Sequence, residues 1–210
     1  MKKSFLLRIT LMLLTMLCTA TAWADTYDPV STDGLSSYDL NAPFGFGAGV
    51  TGSKDENPVT VTTLAELQAA LSGSDKKTIY VDGTITFTGR ISVSCSNKTI
   101  YGLPGATLEN TTHVAEEIAP ATNKPTDTAK NASGILTLSG CSNIIIRNLT
   151  FKSAGAYDID GYDNLTLSGC SNIWVDHCDF QDGVDGNLDC NNASDNICVS
   201  WCRFRYLISP

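Results

Sequence analysis

The chain of 210 residues carries 22 acidic and 14 basic side chains, a formal net charge of -8, and eight cysteines. Such an acidic chain repels phosphate backbones, which excludes unaided nucleic-acid binding, and it can take an anionic substrate only through an intervening cation. The length suffices for one domain with a sizeable core.

Residues 1–24, MKKSFLLRITLMLLTMLCTATAWA, join basic Lys2, Lys3 and Arg8 to an apolar run and a small-x-small site at Ala22, Trp23 and Ala24. This is the pattern of a secretory signal peptide. The apolar run is shorter than the roughly 20 residues that span a bilayer. Cleavage after Ala24 is therefore expected, with export to the periplasm or the medium, no membrane attachment, and a mature domain over 25–210. Loss of the three cations takes the formal net charge from -8 to -11.

Thr63 to Glu66 form a capping box, and Leu64, Leu67, Ala70 and Leu71 share one face of the helix it would start. A short amphipathic helix is expected there, covering one end of the core. The stretch from Thr111 to Ser133, rich in Thr, Ala, Asn, Pro and Lys and without periodicity, reads as a surface excursion.

The octapeptide LTLSGCSN occurs at 136–143 and again at 165–172, and it has relatives in SCSNKTIYG from Ser94 and ASDNICVSWCRF from Ala193. Each unit is a short alternating strand, an Asn-containing turn and a second alternating strand ending in Phe, which is the period of β-structure. Units of about 22 to 30 residues with no helical period read as coils of a parallel β-helix. Identical residues then stack one strand spacing apart, roughly 4.8 Å. Asn97, Asn143, Asn172 and Asn196 are expected to form one column, and Phe151, Phe180 and Phe204 another. Seven cysteines remain after the leader, an odd number without a CxxC pair, and they are expected as buried thiols rather than disulfides or zinc ligands.

The chemistry concentrates in DIDGYD, with Asp158, Asp160 and Asp163, and in DGVDGNLD one coil later, with Asp182, Asp185 and Asp189. Matching Leu165 with Leu188 sets Asp163 beside the Asp185–Gly186 turn. Carboxylates so crowded raise one another's pKa unless a cation joins them, and hard oxygen donors suit calcium. The competing reading is that Asp and Gly simply make tight turns. In WVDH, alternation would put His177 on the face of Val175, with Trp174 and Asp176 on the other. A hydrogen-bonded structural His177 is expected in preference to a general base.

GAGVTGSKDENPVTVTTLAELQAAL, NKTIYGLPGATL, CSNIWVDHCDF and DGNLDCNNASDNICVSWCRF together resemble the extracellular pectate lyases of polysaccharide lyase family 1. The resemblance implies an all-β fold, a right-handed single-stranded parallel β-helix with a short N-terminal capping helix. It also implies calcium-dependent cleavage of pectate (polygalacturonate) by β-elimination, from a monomer. Carried over residue by residue, the metal ligands fall on Asp163, Asp185 and Asp189, with Asp160 one position off the usual register. The family's arginine base falls beyond Pro210, so no catalytic residue is assigned. Arg205 is too close to the SW-x-x-F strand to be that base. The chain is expected to be the N-terminal portion of such an enzyme with little or no activity by itself. A calcium-dependent glycan-binding or structural β-helix, and less so a polygalacturonase hydrolase, remain as alternatives.

Overall fold

Each repeat unit folds into a coil of three short strands, because its apolar residues alternate and its turns fall on Gly and Asn. A computed structural model describes residues 42–55, 57–112, 118–119, 124–155 and 161–208. The expected leader over 1–24, and Asp158 and Asp160, lie outside these residues. The elements in chain order are β1 (Val59–Val61), α1 (Leu64–Ala70), β2 (Lys77–Val81), β3 (Thr84–Thr86), β4 (Ile91–Val93), β5 (Ser96–Gly102), β6 (Thr107–Asn110), β7 (Ile118–Ala119), β8 (Lys124–Pro125), α2 (Asp127–Ala132), β9 (Leu136–Ser139), β10 (Ser142–Arg147), β11 (Thr150–Ser153), β12 (Leu165–Ser168), β13 (Ser171–Asp176), β14 (Asp179–Gln181), β15 (Leu188–Asn191), β16 (Asp195–Ser200) and β17 (Arg203–Arg205).

Three parallel sheets wrap one core: β1-β2-β5-β10-β13-β16, β3-β6-β11-β14-β17 and β4-β9-β12-β15. This is the right-handed parallel β-helix read from the repeats. Ile144 lies opposite Ile173 and Ile173 opposite Ile197, while Leu136, Leu165 and Leu188 form a second column. Alternate residues point inward and are buried, among them Ile100, Ile146, Leu138, Leu167 and Val175. The Phe column is present, with Phe151 and Phe180 stacked at 4.8 Å and Phe180 and Phe204 at 5.0 Å between centroids.

The repetition of LTLSGCSN has a backbone cause. Asn97, Asn143, Asn172 and Asn196 all adopt left-handed φ, between 55° and 58°, a conformation that Asn reaches more cheaply than other side chains. Each Asn turns the chain at the same corner of its coil, and Asn143 Nδ2 donates to Asn97 Oδ1 at 2.8 Å. Gly140 and Gly169 occupy the preceding corner, also with positive φ. The seven cysteines are free, as expected, and Cys95, Cys141, Cys170, Cys178 and Cys198 are buried, with the Cys95 and Cys141 sulfurs 3.8 Å apart. Cys202 is only partly buried, and Cys190, on the edge strand β15, is exposed and not the buried thiol expected.

Helix α1 starts at the Thr63 and Glu66 capping box and turns Leu67 toward the core, with Leu71 buried just beyond its end. Preceding it, Val50 packs on Trp174 and Cys198. Thr51 N and Gly52 N then donate to Asn143 Oδ1 at 2.8 and 2.9 Å, and Ser53 N donates to Thr99 Oγ1 at 2.9 Å. Those bonds lay residues 50–53 across the outer face of the six-stranded sheet. The 111–133 stretch is not wholly irregular: it includes the antiparallel pair β7–β8 and helix α2. Among the described residues no helix is long and apolar enough to cross a membrane.

Candidate functional site

Asn164 sets the site. Completely buried, it donates through Nδ2 to Asn187 Oδ1 at 2.8 Å and to the Gln181 carbonyl at 2.9 Å, and its Oδ1 accepts from Ser153 Oγ at 2.6 Å. Its backbone N donates to Gly186 O and that of Leu165 to Asn187 O. This clamp fixes the 23-residue register, with Leu165 opposite Leu188 and Thr166 opposite Asp189. Asp163, one residue before the clamp, is thereby carried against the turn that holds Asp185 and Gly186. A Cβ added to Gly186 would fall on Asp163 Oδ1, so the glycine is what lets the carboxylate lie along the turn.

Burial, then the charges of Asp185 and Asp189, push the Asp163 carboxyl up from its ordinary 3.8 to about 6. Thr166 Oγ1 offers Asp163 Oδ2 a long hydrogen bond of 3.4 Å, and Asp189 Oδ2 accepts from Asn191 Nδ2 at 2.7 Å. Tyr206 is also raised, first by burial and then by Asp163, Asp185 and Asp182, which places its hydroxyl in the same negative field. Among the described residues, no three His, Cys, Asp or Glu side chains already converge as a closed ligand set. The arrangement is one of oxygen donors held near each other at an electrostatic cost, chemically matched to a hard cation. Asp160, the further ligand expected from sequence, lies outside the described residues.

Other residues of the acidic segments and the WVDH motif are occupied elsewhere. Asp182 is buried, and its Oδ1 accepts from the backbone N of Leu207 and Ile208 at 2.5 and 3.0 Å. Arg205 donates to both carboxylate oxygens of Asp179. His177 does not continue the alternation of β13: its φ is +49°, so the chain leaves the strand there, and its Nδ1 lies 2.5 Å from Asp176 Oδ2 instead of on the Val175 face. Asp176 itself is fully buried, paired with Arg147 Nε at 2.7 Å and accepting from Ser200 Oγ at 2.6 Å, while Trp174 Nε1 donates to Ser200 Oγ at 2.8 Å. His177 is thus a structural partner of Asp176, in the corner after β13, whereas Asp163 lies before β12.

Sequence reasoning missed a cationic neighbour of the site. Arg90, immediately before β4, lays its guanidinium 3.9 Å from the centre of the Tyr162 ring, and Tyr162 adjoins Asp163. No repeat pairs Arg90 with Tyr162, so only the stacking of the coils reveals the contact.

The sequence profile of the pectate lyase family matches residues 31–207. The chain is 30% identical over 164 residues to a pectate trisaccharide-lyase of Thermotoga maritima, a match covering 74% of this chain and 38% of the relative. It is 30% identical over 170 residues to pectate lyase A of Aspergillus niger, covering 76% of this chain and 45% of that protein. The chain thus spans less than half the length of these curated relatives. Its fold is similar to that of a pectate lyase from Bacillus sp. N165 solved in complex with trigalacturonate, with a TM-score of 0.57 and 21% identity over 76% of this chain and 52% of that one. With a profile match running through the helix cap, the stacked coils and the acidic turns, the chain belongs to the pectate lyase family.

Proposed function

We propose that this chain supplies the calcium-binding part of a secreted pectate lyase that cleaves polygalacturonate by β-elimination. The observation that carries the reading is the seating of the Asp163 carboxylate against the Asp185–Gly186 turn, with Asp189 on the next coil opposite Thr166, on the outer flank of stacked coils of the pectate lyase family. Asp163, Asp185 and Asp189 are the proposed ligands, with Asp160 added from the sequence. Asp163, Asp185 and Asp189 would hold calcium, which would supply positive charge to offset a uronate carboxyl and the negative charge developed as the adjacent C5 proton leaves. Asp163 is ionised above about pH 6 and ready to take the ion there. Thr166 orients its Oδ2, and Gly186 leaves the carboxylate room. Export rests on the leader pattern of residues 1–24.

The test is to incubate the purified chain with polygalacturonate in calcium and in chelator. The expected result is calcium-dependent binding of polygalacturonate with at most a slow calcium-dependent rise in the ultraviolet absorbance of a conjugated double bond. New reducing ends without that absorbance would mean hydrolysis. Calcium-dependent binding with no absorbance even after prolonged incubation would favour a glycan-binding β-helix. Identical behaviour in calcium and chelator would overturn the metal site.

A further inference from the structure

Arg90 is a half-buried cation with no carboxylate partner among the described residues. Its recorded contacts are the hydrogen bond from Nη1 to Thr137 Oγ1 at 2.8 Å and the face of Tyr162 at 3.9 Å. Its Nε is buried and has no hydrogen-bond partner among the described residues. A guanidinium so placed keeps N–H donors that can meet an anion.

Its position is set by the coils. Thr137, Thr166 and Asp189 succeed one another in register on the outer face of β9, β12 and β15. Thr137, which Arg90 grips, is therefore two coils from Asp189, roughly 10 Å at the usual strand spacing. Gly134 closes the gap on the turn side. With φ at +72° and no side chain, it lets the coil above settle until a Cβ there would meet Tyr162 Cβ at 2.6 Å and Asp163 O at 2.8 Å. Tyr162 thus spans from the acidic cluster down to the guanidinium. Arg90 and Asp163 share one flank of the solenoid, cation at one end and carboxylates at the other.

We propose that Arg90 is a binding residue for a second carboxylate of an acidic polysaccharide whose first carboxylate lies at the Asp163, Asp185 and Asp189 cluster. This rests on the lyase reading above and deepens it. The two anchors are complementary: the acidic cluster takes a uronate only through a dication, whereas Arg90 takes one directly through its guanidinium N–H groups, pre-oriented by Thr137 and Tyr162. A neutral or fully esterified chain would gain nothing at Arg90. Only oligomers long enough to reach two coils along the flank would engage both anchors, so Arg90 selects for chain length as well as charge.

The experiment measures calcium-dependent binding of digalacturonate and hexagalacturonate by calorimetry, using the whole chain in its native form and as Arg90→Gln and Arg90→Lys. The expected result is about a tenfold loss of hexagalacturonate affinity in Arg90→Gln, digalacturonate affinity unchanged, and partial recovery in Arg90→Lys. Equal affinity of Arg90→Gln and native protein for hexagalacturonate would overturn the proposal. So would an equal loss for both lengths, since that marks a merely structural Arg90. Failure of the native chain to bind either oligomer in calcium would sink the lyase reading itself, and this site with it.

Discussion

Gly186 and Asp163 meet across adjacent coils without room for a methyl group between them: a Cβ on Gly186 would fall on Asp163 Oδ1, with Cγ at 3.5 Å. Gly186 does not sit at positive φ, so space and not backbone strain demands the glycine. Gly186→Ala should push only the end of one polar side chain aside. The expected outcome is little change in thermal unfolding together with about a tenfold weaker calcium affinity by calorimetric titration. Unchanged affinity would show that the Asp163 carboxylate is not a ligand.

Asp163 also makes stability depend on pH. Its carboxyl loses its proton near the ordinary 3.8 when unfolded and near about 6 when folded. Between those values the folded state holds more protons, so stability falls as pH rises through the window and stays lowered above it. In chelator, Asp163→Asn should therefore be more stable than the native chain above pH 6, by about 1 kcal/mol after allowance for solvent screening. Below about pH 4 the two should agree. Saturating calcium should reverse the order at pH 7. Urea titrations at three pH values would check all three statements, and a native chain that is the more stable one in chelator at pH 7 would contradict them.

The coils were legible in the sequence because stacking demands identity: Asn at left-handed corners, Phe over Phe and Leu over Leu all recur at coil spacing. The placement of Asp163 beside the Asp185–Gly186 turn followed from the same register. What escaped the sequence lies off that lattice. His177 breaks the strand alternation by adopting positive φ, a choice tied to Asp176, which binds Arg147 and Ser200 on neighbouring strands. Arg90 meets Tyr162 only because Gly134 lets one coil settle on the next. Such contacts arise from turns between coils, where no period relates one residue to another.

Asp176 predicts a large effect far from the acidic flank. It is fully buried between Arg147, His177 and Ser200, so removing it strands charge and donors that it satisfies. Asp176→Ala should cost about 3 to 5 kcal/mol in urea unfolding. His177→Ala, which removes one quarter-exposed partner and leaves Arg147 and Ser200 in place, should cost about 1 kcal/mol and leave any pectate turnover of the native chain unchanged. A His177→Ala chain that folds normally but loses turnover would return His177 to the reaction.

The Phe column should show graded energetics along the solenoid. Phe180 is fully buried between two rings, Phe151 with an interplanar angle of 12° and Phe204 with one of 3°. Truncating it removes two stacking contacts and opens a cavity that the fixed strands on either side cannot fill. Phe180→Ala should cost about 3 to 5 kcal/mol. Phe204, 50% exposed in this chain, stacks on Phe180 alone among the Phe column. Its truncation opens to solvent instead of leaving a void, so Phe204→Ala should cost about 1 kcal/mol. Urea midpoints with an unchanged slope would measure both. Equal losses at the two positions would mean that Phe204 is packed as tightly as Phe180, and the column would not be graded.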